Sequence, residues 1–247
     1  MKHVSVFLLV LTLTSNVAAQ EISFQPQRKN VVKLDLTSSV WYSNAFGISY
    51  ERLVKRNQSF SVSAGYQEFP KTSRFGQNVE VTDNRSRNGY KFGGEYRFYP
   101  IKENKYIAPR GLYIGPYFTR HSFDNERGIR VDNDGTPEEA ILNSKLRILN
   151  VGFQVGYQFI FHNRWTVDLV FVGPSFSHYR YTLGLDGNYT FDEEDIQNEI
   201  ILDLIDRFPM LDEVISGKEA TRSGRLDTWA YGYRYQLHIG YHFGRKE

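Results

Sequence analysis

The stretch "YGYRYQLHIGYHFGRKE", residues 231 to 247, sets the period from which the fold is read. Tyr231, Tyr233, Tyr235, Leu237, Ile239, Tyr241 and Phe243 hold the odd positions, with Gly232, Arg234, Gln236, His238, Gly240 and His242 between them. Successive side chains of a strand point to opposite faces. One face is therefore aromatic and aliphatic, and the other is small, amide or charged.

Working upstream, the same period of two recurs in seven further segments. They are "NVVKLDLTS" (30–38), "NAFGISYE" (44–51), "SFSVSAGYQ" (59–67), "GYKFGGEYRFYP" (89–100), "RGLYIGPYFTRH" (110–121), "LNVGFQVGYQFIF" (149–161) and "WTVDLVFV" (165–172). Short connections at 54–58, 100–109 and 162–164 alternate with long ones at 70–88, 122–146 and 179–227, and only 39–43 breaks the alternation. This pattern predicts an all-β fold: an eight-stranded antiparallel up-and-down transmembrane β-barrel with long outward loops. One helical insertion is predicted between the seventh and eighth strands, over 192–215. Asp192 is its N-cap, and Ile196, Ile200, Leu204 and Phe208 fall at helical spacing. Three roles are open for that acidic helix: a lid resting on the barrel mouth, a plug in the lumen, or a docking face for an envelope protein.

A soluble sandwich also alternates, but its outward face favours Lys and Glu. Here the polar face mixes Gly, Ser and Gln with charges of both signs: Lys33, Asp35, Glu51, Lys91, Glu95, Arg97, Asp168, Arg234 and His238. An eight-stranded lumen is just wide enough to be filled by side chains. Charges inside it must pair, so these residues are expected to form a lumen network. The apolar face carries Tyr50, Tyr66, Tyr90, Phe98, Phe159, Trp165, Tyr231 and Tyr241 near strand ends, as aromatic girdles require.

Composition narrows the partners. Thirty Lys and Arg against 28 Asp and Glu leave a net charge of +2, without the basic clustering of a nucleic-acid footprint. The absence of Cys removes disulfides, thiol catalysis and Cys-ligated metals. Residues 1–19, with a basic start, an apolar run and Val17-Ala18-Ala19, read as a cleaved signal peptide. The mature domain is then 20–247. No cofactor or metal site is expected. His238 and His242 share a face but stand about 13 Å apart along a strand, too far to hold one metal, and read as solvated. "VDNDG" (131–135) reads as an Asp/Asn/Gly turn.

Beyond these readings, "LHIGYHF" (237–243) resembles the assembly signal that the barrel-assembly machinery reads on a final strand. Leu237, Ile239, Tyr241 and Phe243 are its residues, although "GRKE" follows where the terminal aromatic usually ends the chain. "KLDLTSSV", "FGISYER", "GGEYRFYP" and "APRGLYIGPYF" resemble a family of small Gram-negative outer-membrane β-barrels of unknown function. That resemblance implies outer-membrane location, with lipid and the assembly machinery as partners, and no established activity. The leading expectation is a non-enzymatic structural or interaction protein with a closed polar lumen. A narrow pore or small-molecule transport barrel ranks second. A lipid A-modifying enzyme ranks third, drawing on His121, Ser122, Asp124, Ser175, Ser177 or His178.

Overall fold

The computed structural model describes residues 28–68, 74–75, 78–100, 104, 106–133, 136–197, 199–200 and 225–244. Nine strands follow in chain order: β1 (Asn30–Asp35), β2 (Ser43–Lys55), β3 (Gln58–Glu68), β4 (Arg74–Phe75), β5 (Val79–Phe98), β6 (Gly111–Asn133), β7 (Thr136–Phe161), β8 (Trp165–Asp186) and β9 (Arg225–Phe243). A short helix, α1 (Leu36–Trp41), joins β1 to β2. Along the sheet the order is β3-β2-β1-β9-β8-β7-β6-β5-β4, and β3 also pairs with β5. The two-residue β4 hangs on β5 outside that circuit, so the other eight strands close into one antiparallel ring.

The seam between the first and last strands runs from Asn30↔Phe243 to Asp35↔His238. Beyond Asp35 the first strand turns into α1. Asp35 caps the helix by accepting from the Ser38 amide (3.1 Å) and hydroxyl (2.6 Å). The Leu237 amide, next along β9, donates instead to Thr37 Oγ1 at 2.7 Å. The short connection at 39–43 therefore contains the end of a helix that begins at Leu36 and stops at Trp41, before β2 opens at Ser43.

A larger correction concerns the long connections. Much of 70–88 and nearly all of 122–146 are strand, since β5 begins at Val79, β6 runs to Asn133 and β7 starts at Thr136. Between β6 and β7 the period of two never stops; the polarity of its faces exchanges. On β6 the outward residues change from Ile114 and Phe118 to Arg120, Asp124, Glu126 and Arg130, while the inward ones become Phe123, Ile129 and Val131. On β7, outward Phe153, Val151 and Leu149 give way to Arg147 and Lys145, as inward Gln158 and Gln154 give way to Leu142 and Ala140. A search for one apolar face loses the strand where the faces swap. β8 adds a bulge at Phe171 and Val172, both exposed, where the register to β9 shifts. Even positions face inward before it and odd positions after it.

The inward apolar residues of the upper sheet form their own core. Phe75, Val79, Ile129, Val131, Leu142, Leu183 and Leu185 pack with Phe191, Ile196 and Ile200. The last two lie in the helical residues 193–197 and 199–200, which Asp192 begins by accepting from the Glu194 amide at 2.8 Å. The apolar face of this segment, open to a lid, plug or docking role, is turned inward at Ile196 and Ile200 and buried against the protein's own sheet, which presents the apolar surface they need. Leu204 and Phe208, with the rest of 201–215, lie outside the described residues.

Close packing at the seam gives a test. A Cβ on Gly240 would sit 2.4 Å from the Val32 carbonyl oxygen and 2.7 Å from Lys33 Cγ, whereas one on Gly184 meets nothing within 4 Å. Gly240→Val should lower unfolding stability by about 1–3 kcal/mol, read from the urea midpoint, while Gly184→Ala should stay within about 0.5 kcal/mol of the native chain.

Candidate functional site

The side chains that the ring gathers in its lower half are charged, and they are buried. Lys33 on β1 is 1% exposed, and Glu51 on β2, Arg97 on β5 and Asp168 on β8 are 0% exposed. Each stands on the inward phase of its strand, so closure of the ring points them at one another from different walls. Lys33 Nζ lies 2.6 Å from both Glu51 Oε2 and Asp168 Oδ2, and donates to Gln158 Oε1 at 2.9 Å. Arg97 Nη2 reaches Asp168 Oδ2 at 2.8 Å and also binds Glu95. Glu95 Oε2 in turn accepts from Arg234 Nη2 at 3.1 Å and from Gln154 Nε2 at 2.7 Å. One step higher, Lys91 Nζ lies 2.8 Å from Asp35 Oδ2.

All nine residues expected to form the interior charge set point into the ring. Lys33, Glu51, Glu95, Arg97, Asp168 and Arg234 make one network, and Lys91 with Asp35 makes a second pair. His238 sits beside them, its Nδ1 3.9 Å from Asp168 Oδ2. Four cations face four carboxylates, so the set is neutral with His238 uncharged. Arg234 on β9 meets Glu95 on β5, across the ring from it. His238 and His242 are buried rather than solvated, and His242 Nε2 contacts the Arg28 carbonyl at 2.6 Å.

Neutral members of the network escaped the charge-based reading. Tyr113 donates its phenol to Asp168 Oδ1 at 2.7 Å, Tyr99 donates to Glu51 Oε1 at 2.8 Å, and the Arg97 guanidinium lies 4.1 Å from the centre of the Tyr113 ring. Tyr113 shares the inward phase with Tyr117, and that competing aromatic face of "RGLYIGPYFTRH" was the available signal. Higher in the ring, Arg127 is 2% exposed and lies over the Phe75 ring at 5.5 Å. Burial holds its pKa below the usual arginine range.

The hydrolase candidates divide between the two faces of the sheet. Ser175 and Ser177 point inward, their hydroxyls 3.2 Å apart, whereas His178 points outward and contacts Asp227. His121 faces inward against the Gln67 amide at 2.7 Å, stacked near Tyr42 and Phe123. Asp124 binds Arg147 on the outer face. Among the described residues, no cluster of three His, Cys, Asp or Glu is placed to hold a metal ion.

The chain thus forms a closed eight-stranded antiparallel ring whose interior is cross-linked by ion pairs. Residues 5–198 match the model of the DUF3575 family, described as a protein of unknown function, and the chain belongs to that family. The match spans the charged strands β1 to β8 and stops before β9. No curated protein matches the chain.

The network makes an energetic prediction. Removing one partner strands a buried charge, at a cost of about 3–5 kcal/mol. Asp168→Asn and Lys33→Met should each destabilise the chain by that order in denaturant unfolding. The double variant should recover part of the loss, giving a coupling energy of at least about 1 kcal/mol.

Proposed function

We propose that this protein is an integral outer-membrane β-barrel that acts as a non-enzymatic structural or interaction element of the envelope. One observation carries the reading: the outer surface of the ring changes character at a single level. Below that level it is apolar and aromatic, with Tyr231 70%, Phe153 63% and Phe92 53% exposed. Above it come Arg120, Asp124, Lys145, Arg147 and Arg180. A water-soluble protein rarely leaves a continuous apolar belt of this kind in contact with water.

The belt is bounded by rings suited to an interface. Trp165 and Tyr241 meet edge to face near the short-turn rim, and Tyr66 and Tyr90 do so at the other boundary. On β5 the belt runs from Tyr90 to Phe98 and on β7 from Leu149 to Phe159, close to the roughly 9–11 residues of a membrane-crossing strand. Leu237, Ile239, Tyr241 and Phe243 lie on the outward phase of β9, in keeping with an assembly-signal role. No described helix is long and apolar enough to cross a membrane, so crossing would fall to the strands.

The interior supports a closed barrel rather than a pore. Lys33, Arg97, Asp168, Gln154 and Gln158 fill it across its width, and their ion pairs would have to break for ions to pass. Purified protein should migrate faster on unheated than on heated gels, and should float with lipid vesicles after alkaline washing. Added to planar bilayers it should give no conductance steps. A chain that stays in the aqueous fraction would overturn the membrane reading, and regular conductance steps would overturn the closed interior.

A further inference from the structure

Above the apolar belt, one side of the ring carries a grid of cations. Arg120 lies on β6, Lys145 and Arg147 on β7, Arg180 on β8 and Arg225 on β9, all on the outward phase. The register makes them neighbours: Asp124↔Lys145↔Thr182↔Arg225 form one row and Ser122↔Arg147↔Arg180↔Asp227 the next. Arg120 stands opposite Leu149, one step lower. Even with Arg225 set aside, four cations share two carboxylates. Arg147 takes Asp124 with both oxygens at 3.0 and 3.1 Å, and Arg180 Nε takes Asp227 Oδ2 at 2.9 Å. Burial nudges the Asp227 carboxyl upward, but the His178 and Arg180 hydrogen bonds and the Arg180 charge hold it below the usual carboxylate range. Among the described residues Arg120 and Lys145 have no ion pair.

Two features of this grid call for an anion from outside the chain. Arg147 and Arg180 are directly opposed across the ladder. Each already holds one carboxylate, so Asp124 and Asp227 are used up and the charges of Arg120 and Lys145 beside them are left without a counter-ion among the described residues. The row below is Leu149, His178 and Trp229, and beneath it lie Val151, Phe176 and Tyr231, so the cations border the apolar belt without a gap. A ligand that matches both at once has acyl chains and a phosphate at their junction. At the upper ends of β2 and β3 cation and carboxylate balance instead, since Glu68 accepts from Asn44 and pairs with Arg87 at 2.6 Å.

We propose that the outer surface of β6–β9 binds the phosphorylated headgroup of a lipid in the surrounding leaflet, with Arg120, Lys145, Arg147 and Arg180 holding its phosphates and Leu149, Phe176 and Trp229 flanking its acyl chains. This rests on the membrane reading above. Arg147 and Arg180 offer forked donors suited to phosphate oxygens, and Lys145 adds a point charge.

The full chain in nanodiscs of zwitterionic lipid doped with lipid A tests the idea, with bound lipid counted by native mass spectrometry. Lipid A should be retained over its dephosphorylated form. The triple variant Arg120→Gln, Lys145→Gln, Arg180→Gln should lose retention by roughly 100-fold, with an unchanged circular dichroism spectrum and gel shift. Arg180→Lys should keep most of the binding. Equal retention of dephosphorylated lipid, or native-like retention by the triple variant, overturns the lipid site and leaves the barrel standing. Displacement of lipid A by an acidic peptide would also overturn it, in favour of a protein partner. A native chain that never enters the nanodiscs overturns the membrane reading itself, and this site with it.

Discussion

A charge removed from water must find an opposite charge, and this constraint organises the lower half of the ring. Lys33 can reach Glu51 and Asp168 only if β1 is flanked by β2 on one side and the ring brings β8 near on the other. Arg97 adds β5 to the same arrangement through Asp168 and Glu95, and Arg234 adds β9. The network is thus a statement about closure: five strands distant in sequence share one set of counter-ions. Because a one-residue slip turns every side chain to the other face, any misregister would place these charges on the apolar surface.

The upper half obeys the opposite rule. Its inward residues are mainly apolar, with Arg127, Asn125 and Ser144 among them, its outward ones largely charged, and the segment around Phe191, Ile196 and Ile200 covers the apolar side. One ladder therefore serves two surroundings. Below, the wall separates a polar interior from an apolar exterior. Above, it behaves as an ordinary sheet with one buried face. β6 and β7 pass through both regimes without a break in pairing from Gly111↔Gln158 to Asn133↔Thr136.

How much of this was legible in the sequence follows from the same inversion. The eight ring strands and the interior charges could be read because odd and even positions differ strongly in "LNVGFQVGYQFIF" and "YGYRYQLHIGYHF". The upper extensions resemble loops in the sequence because Phe123, Ile129 and Val131 stand on the face that Thr119 and His121 hold lower on β6. A summed alternation cancels across such a switch. The bulge at Phe171 and Val172 hides the phase of Ser175 and His178 in the same way. Tyr99 and Tyr113 were missed as network members because a phenol is both an apolar wall and a hydrogen-bond donor, and composition shows only the first. The Arg147–Arg180 opposition needs the register, which period alone does not supply.

The short first strand has a topographic consequence. Pairing of β3 with β5 ends at Tyr66↔Tyr90, yet β5 continues to Val79, 11 residues further, which at about 3.3 Å per residue is some 35 Å of additional wall. β1 stops at Asp35 and β2 begins only at Ser43. The mouth is therefore cut obliquely, high along β5–β8 and low where α1 closes the gap. Among the described residues, a molecule lying in the plane of the belt meets a tall charged cowl on one side and a low sill on the other.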